Sequence, residues 1–359
     1  MVLPIGDAPN PRGAPFVTYL IIAANVAVFV LLTMPLSGAP ADPSDPLFQQ
    51  YVSAVERSVD NPAEVDQFVQ DASRYDLFVF AHGFRPVAPT VVDLFSSLFL
   101  HANFMHLFGN MLFLWIYGDN VEHRMGGGRY LLAYLATGIA ATLVHWITSP
   151  DSLLPTIGAS GAISGVLGFY FLWFPQNRVR LLMLLPPLFM NVFMVPARVV
   201  LGIYLVLDNI VPLLFASSRG GGVAHGAHIG GFVAGVIAAW IHDRLVVRRG
   251  EEELESHPGE QPLVLAEQLR DEGRPDEAIA VLERQLRTMR PGPETTAVHA
   301  LAGTILLDDL HQPPTAYQHF AAALKMSPDP RTAALAEQGI AAIQSMQKYR
   351  VGRPRGRGL

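Results

Sequence analysis

Four stretches of this chain, near 16–34, 130–148, 199–215 and 229–247, stay apolar long enough to cross a hydrocarbon core of about 30 Å at roughly 1.5 Å per residue. In lipid each span must satisfy its own backbone hydrogen bonds, so the pattern predicts an all-α, polytopic membrane protein. Two less clean segments join them: 104–118, which carries His106 and Asn110, and 160–174, which carries Ser160 and Ser164. Polar groups within spans are costly and normally face the protein interior, so both are counted and the total is six. Leu181 to Val195 is apolar too, but it is short, is interrupted by Pro186 and Pro187 and contains Asn191, so it reads as an interfacial connection. A composition 50% hydrophobic and only 16% charged agrees with a membrane protein.

The cations set the orientation. Arg12 precedes the first span, Arg124 and Arg129 separate the second and third, Arg178, Arg180 and Arg198 lie between the fourth and fifth, and Arg244, Arg248 and Arg249 follow the sixth. The positive-inside rule then puts both termini in the cytoplasm, as expected for an integral protein of a bacterial inner membrane. Loop 35–86, with Asp42, Asp45, Glu56, Asp60, Glu64, Asp66, Asp71 and Asp76, falls on the extracytoplasmic side. Residues 1–15 form a cytoplasmic segment too polar for a signal-peptide core, so the first span is expected to stay as an anchor and the membrane domain to cover 16–248. With no cysteine, disulfides, thiolate nucleophiles and Cys-ligated metals are excluded. The net charge of −6, much of it in the acidic loop and the C-terminal region, gives no support to a nucleic-acid partner.

Beyond Gly250 the composition becomes that of a soluble helical domain. Ala278, Leu282 and Leu286 recur as Ala316, Phe320 and Leu324, each shifted by 38 residues. The recurrence predicts two helical hairpins and a closing helix near 331–346, similar to tetratricopeptide repeats although those have a period of roughly 34 residues. The expected organisation is a polar linker at 249–261, a cytoplasmic TPR-like domain at 262–346 that offers a groove to a peptide or protein partner, and a basic disordered tail at 347–359.

Chemistry concentrates in the membrane part. Ser160 lies between Gly158 and Gly161 at the start of an apolar helix, where free N–H groups and the positive helix end favour developing negative charge. Alone, it could equally be a helix cap. His228 opens another apolar helix; Ser160, Ser164 and Gly168 on the first, and His228, Gly231 and Gly235 on the second, form ridges of small residues that let the helices approach closely. Packed so, Ser160 and His228 meet at one level and could act as nucleophile and base; taken alone, Gly231 and Gly235 read as ordinary packing and His228 as a satisfied interior histidine. No carboxylate adjoins His228 in sequence, which predicts a dyad; His225, one turn earlier, is the competing base and is expected in the loop after Gly220, Gly221 and Gly222. His106 and Asn110 are i, i+4 neighbours on one helix face and could donate to an oxyanion beside the backbone N–H groups of Ser160 and Gly161. A metal site from His101, His106, His225 and His228 is the disfavoured alternative, lacking a carboxylate and the H-E-x-x-H pattern, so neither metal nor cofactor is expected.

The run from His101 to Phe113, then Gly118 to Arg124, then Gly158-Ala159-Ser160-Gly161, then Ala227-His228-Ile229-Gly230-Gly231-Phe232, together resemble the rhomboid intramembrane serine proteases over roughly 12–245. The resemblance implies a six-helix rhomboid-like bundle in which Ser160 is the nucleophile, His228 the base, and His106 and Asn110 side-chain donors of the oxyanion hole. It also places the family's buried Glu–Arg contact on Glu122 and Arg124, with Gly158, Gly231 and Gly235 as structural support. Substrates would be single-span membrane proteins, reached through the lipid and cut in or near the transmembrane segment after partial unwinding. A rhomboid-like pseudoprotease that binds membrane clients without cutting them is the alternative; retention of Ser160, His228, His106 and Asn110 speaks against it. Two positions depart from the family. Ser164 stands where an aromatic residue often packs on the catalytic imidazole, and Asp208, about ten residues into the fifth helix, reads as an acid facing a cavity or hydrogen-bonded inside the bundle.

Overall fold

The computed structural model describes residues 2–11, 13–185, 189–215, 224–257, 261–326 and 328–351. Two compact units divide at Trp240/Ile241. The first opens with strand β1 (Val2–Ala8) and helix α1 (Phe16–Val28), which continues through a π turn at Phe29–Thr33 into α2 (Met34–Ser37). Pro15 gives the head of α1 no capping side chain. The carboxylate of Glu122 fills that place, accepting from the Val17 and Thr18 backbone N–H groups at 2.9 and 2.7 Å and from Thr18 Oγ1 at 2.8 Å. A carboxylate at a helix N-terminus meets both the orphan donors and the positive end of the dipole, so this acid joins the first span to the second.

The acidic loop is itself folded. Helices α3 (Pro46–Ser58), α4 (Pro62–Gln70) and α5 (Arg74–His82) begin at Asp45, Asn61 and Ser73, each of which accepts a backbone N–H of the first turn. Phe48, Tyr51, Val55, Leu77 and Phe80 form their own small core. The acids of this loop are thus partly caps, as with Asp45 and with Asp76 in the capping box on Ser73.

Next come α6 (Val91–Ser96), α7 (Phe104–Met125), α8 (Gly127–Thr148) and α9 (Ser160–Trp173). Strands β2 (Arg178–Leu185) and β3 (Phe189–Pro196) follow, then α10 (Ala197–Leu205), a π turn at Val206–Ile210, α11 (Val211–Phe215) and α12 (His225–Ser256). Among the described residues, four helical segments, Phe16–Ser37, Gly127–Thr148, Ala197–Leu214 and His225–Ser256, are long and apolar enough to cross a membrane by length and composition. Val91–Phe99 and Phe104–Met125 form a pair bent by 89°. Helix α9 has only 14 residues, about 21 Å of rise against a hydrocarbon core of about 30 Å. The protein is therefore a predominantly helical integral membrane protein, in which α9 is shorter than a full span.

The stretch expected as an interfacial connection forms two paired antiparallel strands, β2 and β3, extended by β1 into a three-stranded antiparallel sheet. Register runs from Val2 opposite Met183 to Ala8 opposite Arg178, and Arg178 faces Pro196. Pro186 and Pro187 lie outside the described residues. Asp7 of β1 is buried and accepts from Asn120 Nδ2 at 2.9 Å and from the Tyr170 hydroxyl, which ties the sheet to α7 and α9.

The second unit contains the end of α12 with α13 (Pro262–Asp271), α14 (Pro275–Thr288), α15 (Pro293–Asp308), α16 (Pro313–Lys325) and α17 (Pro330–Val351). Ala278, Ala316 and Leu282 are fully buried, Phe320 nearly so, and Leu286 and Leu324 border the same core, so the recurring positions are equivalent in packing. The Phe320 ring lies against Gly303 of α15 and Gly339 of α17, where a Cβ would collide with it. The expected linker needs correction: residues 249–256 continue α12, along which Arg248 and Glu252 pair at 2.8 Å one turn apart. Glu253 bonds Arg274, and Gly250 approaches Ala280 closely enough that a Cβ would stand 2.6 Å from the alanine Cβ. The expected tail from 347 likewise begins as helix to Val351; residues 258–260 and 352–359 lie outside the described residues.

Candidate active site

Close helix packing builds the site. A Cβ on Gly231 would run into the carbonyl oxygen of Gly161, one on Gly235 into that of Gly165, and one on Gly168 into that of Phe232. Helices α9 and α12 therefore touch backbone to backbone, and their relative height has no freedom to slide. The ridge on α9 runs through Gly161, Gly165 and Gly168, one residue round from the expected Ser160–Ser164–Gly168 line. That offset leaves both serines to hydrogen-bond.

Ser160 is the first residue of α9, and its Oγ lies 2.8 Å from His228 Nε2. On the far side of the imidazole, His228 Nδ1 lies 2.7 Å from Oδ1 of Asn209, whose side chain is fully buried. Ser164, also buried, bonds the hydroxyl of Tyr204 at 2.8 Å, and the Tyr204 ring centroid stands 6.4 Å from that of His228. His225 is the first residue of α12, not a loop residue as expected, while Gly220, Gly221 and Gly222 lie outside the described residues.

The donors converge beside the serine. The first intrahelical bond of α9 runs from Ile163 N to Ala159 O, so the N–H groups of Ser160 and Gly161 precede the ladder and have no partner within the helix. Gly158 has φ +120°, and a Cβ there would lie 2.8 Å from His106 Nε2 and 3.7 Å from Asn110 Nδ2. Both side chains of α7 thus border the turn that leads into Ser160. Asn110 Nδ2 is buried with no hydrogen-bond partner among the described residues. The Gly158 N–H donates to Ser97 O at 2.8 Å, which anchors the turn to the segment before α7.

Residues 88–244 match the rhomboid domain family. This segment is a rhomboid domain. Rhomboid-like protein 11, chloroplastic, of Arabidopsis thaliana is 28% identical over 190 residues, 49% of this chain and 59% of that protein. Rhomboid protein 1, mitochondrial, of Saccharomyces cerevisiae is 29% identical over 171 residues, 46% of each chain, and rhomboid protease GluP of Bacillus subtilis 34% identical over 146 residues, 41% of this chain and 25% of that one. The chain therefore spans between a quarter and three fifths of these relatives' lengths. Of these relatives, the Bacillus subtilis one is named as a protease.

Within the rhomboid domain one expectation changes. Asp208 is exposed on the outer side of its helix, and its neighbour Asn209 is the residue that faces in. The π turn at Val206–Ile210 widens the helix there and re-registers the faces, which a regular 3.6-residue period does not anticipate. Glu122 serves the head of α1, and the Arg124 guanidinium lies 4.4 Å over the Trp173 ring. Where the family often has an aromatic side chain one turn after the serine, Ser164 instead holds Tyr204, which brings a ring from α10 toward the imidazole.

Proposed function

We propose that the protein is a rhomboid-type serine endopeptidase that hydrolyses peptide bonds in or near the transmembrane segments of single-span membrane proteins. The observation that carries the reading is the 2.8 Å contact between Ser160 Oγ and His228 Nε2 inside a membrane bundle. His228 takes the Ser160 proton as Oγ attacks the substrate carbonyl carbon. The N–H groups of Ser160 and Gly161, with His106 and Asn110, stabilise the resulting oxyanion. His228 then protonates the leaving amine, and water, deprotonated by the same imidazole, releases the acyl group from Ser160. A substrate helix must partly unwind at the serine to free a carbonyl from its internal hydrogen bonds.

The setting is a bacterial inner membrane with both termini cytoplasmic, supported by the arginine distribution. The helical hairpins at 262–346 take a peptide or protein partner and no part in the chemistry. In proteoliposomes, wild-type protein should cut a single-span reporter while Ser160→Ala and His228→Ala, equally folded, should not. A wild type that binds the reporter and leaves it intact would make this a client-binding rhomboid-like protein instead.

A further inference from the structure

We propose that Asn209 is a positioning residue for the reaction, holding the His228 imidazole with its proton on Nδ1 so that the lone pair of Nε2 faces the Ser160 hydroxyl. The inference rests on the reading of Ser160 and His228 as nucleophile and base. A carboxamide has one donating and one accepting end, and the surroundings of Asn209 decide which is which. Its Nδ2 lies 2.8 Å from the backbone carbonyl oxygen of Tyr204, a group that can only accept. The reversed amide would set oxygen against oxygen in a fully buried site. Oδ1 therefore faces the ring at 2.7 Å, and His228 Nδ1 must donate to it. The neutral imidazole is left with an acceptor at Nε2, 2.8 Å from Ser160 Oγ, and the serine hydroxyl donates to it. The opposite tautomer would point an N–H at a hydroxyl that has to lose its proton and a lone pair at the amide oxygen.

The π turn makes this contact possible, since it brings Asn209 to the same inward face as Leu201 and reserves the Tyr204 carbonyl, five residues back, for the amide. Asn209 orients the ring without supplying charge. The other titratable groups about the imidazole are His106 of α7, His225 of α12 and Tyr204 of α10.

The test uses the full chain in proteoliposomes with three proteins: wild type, Asn209→Leu, which keeps the shape and loses both polar ends, and Asn209→Asp, which keeps an acceptor and adds charge. Folding is checked by thermal unfolding; kcat and KM on a single-span reporter, the rate of fluorophosphonate labelling and the pH profile of kcat/KM are measured. Asn209→Leu should lose on the order of 10²-fold in kcat and in labelling rate at nearly unchanged KM, as expected when a serine hydrolase's base loses the partner that sets its tautomer. Asn209→Asp should retain much of the rate and move the acid limb of kcat/KM to higher pH, because a carboxylate at Nδ1 favours the imidazolium. A folded Asn209→Leu protein with wild-type kcat and labelling overturns the inference, as does an Asn209→Asp acid limb that stays in place. A wild type that neither labels nor cuts would remove the assignment of Ser160 and His228 themselves, which is a separate failure.

Discussion

At Gly158 a backbone φ of +120° and the ring of His106 leave no room for a Cβ, so this position carries both a conformational and a steric demand. Alanine there strains the turn and pushes on His106 Nε2, displacing one wall of the site relative to Ser160. A shift of about 1 Å in a reacting constellation costs on the order of 10²-fold in rate, and Gly158→Ala should lose at least that in reporter cleavage while remaining folded. His106→Ala and Asn110→Ala should each lose on the order of 10²–10³-fold, the backbone donors remaining; full activity in both would contradict the oxyanion reading. The pairing of His106 with Asn110 was visible as an i, i+4 relation, and Ser160 was visible as a serine between glycines at a helix start. Asn209 was not. A helical wheel gives Asp208 and Asn209 faces that the π turn changes, so the charged neighbour drew attention while the neutral amide made the contact.

At the scale of elements, the contact between α9 and α12 is set by missing side chains. Gly235→Leu would drive a side chain into the Gly165 carbonyl, and overpacking of this kind costs about 1–3 kcal/mol or more. Its thermal midpoint in detergent should fall by several degrees and reporter cleavage should be lost with it. Gly202→Leu in α10, where a Cβ meets nothing within 4 Å, is the matched control and should be tolerated. The small-residue periodicity of these two helices was readable, although the touching ridge lies one residue round from the one that spacing alone selected. The sheet was less legible. Leu181 to Val195 is apolar on both faces and lacks the alternation that marks a half-exposed strand, and its partner β1 lies over 170 residues earlier at Val2–Ala8. The bond from Glu122 to the head of α1 spans 104 positions and leaves no local trace in either segment.

For the whole molecule, a chain of two compact units should have two separable stabilities. The second, over 241–351, holds a half-buried histidine pair: His299 and His319 face each other with Nδ1 atoms 3.2 Å apart. Burial, with the neighbouring His299, pushes His319 down to about 4. An unfolded histidine titrates near 6.5, so between these values the unfolded chain binds the extra proton and the folded one does not. Stability from this site is complete above about pH 6.5 and is lost as pH falls toward 4. A 241–351 fragment should show helical circular dichroism, with a urea midpoint that declines across that window and a shallower decline in His319→Leu. A fragment without helix would remove the independent unit. The 38-residue recurrence made this helical part legible, but the start of the unit was not: Gly250 and the charges around it read as a linker, whereas Glu253 and Leu254 belong to the packed helix.

Covalent labelling tests Ser160 as a nucleophile activated by His228 without needing the natural substrate. Full-length protein in liposomes is treated with a fluorophosphonate and the modified residue is mapped by mass spectrometry. The account predicts one adduct, on Ser160, absent in Ser160→Ala and strongly slowed in His228→Ala, with His225→Ala close to wild type. A folded wild-type protein that takes no label, or one whose label persists in Ser160→Ala, would contradict it.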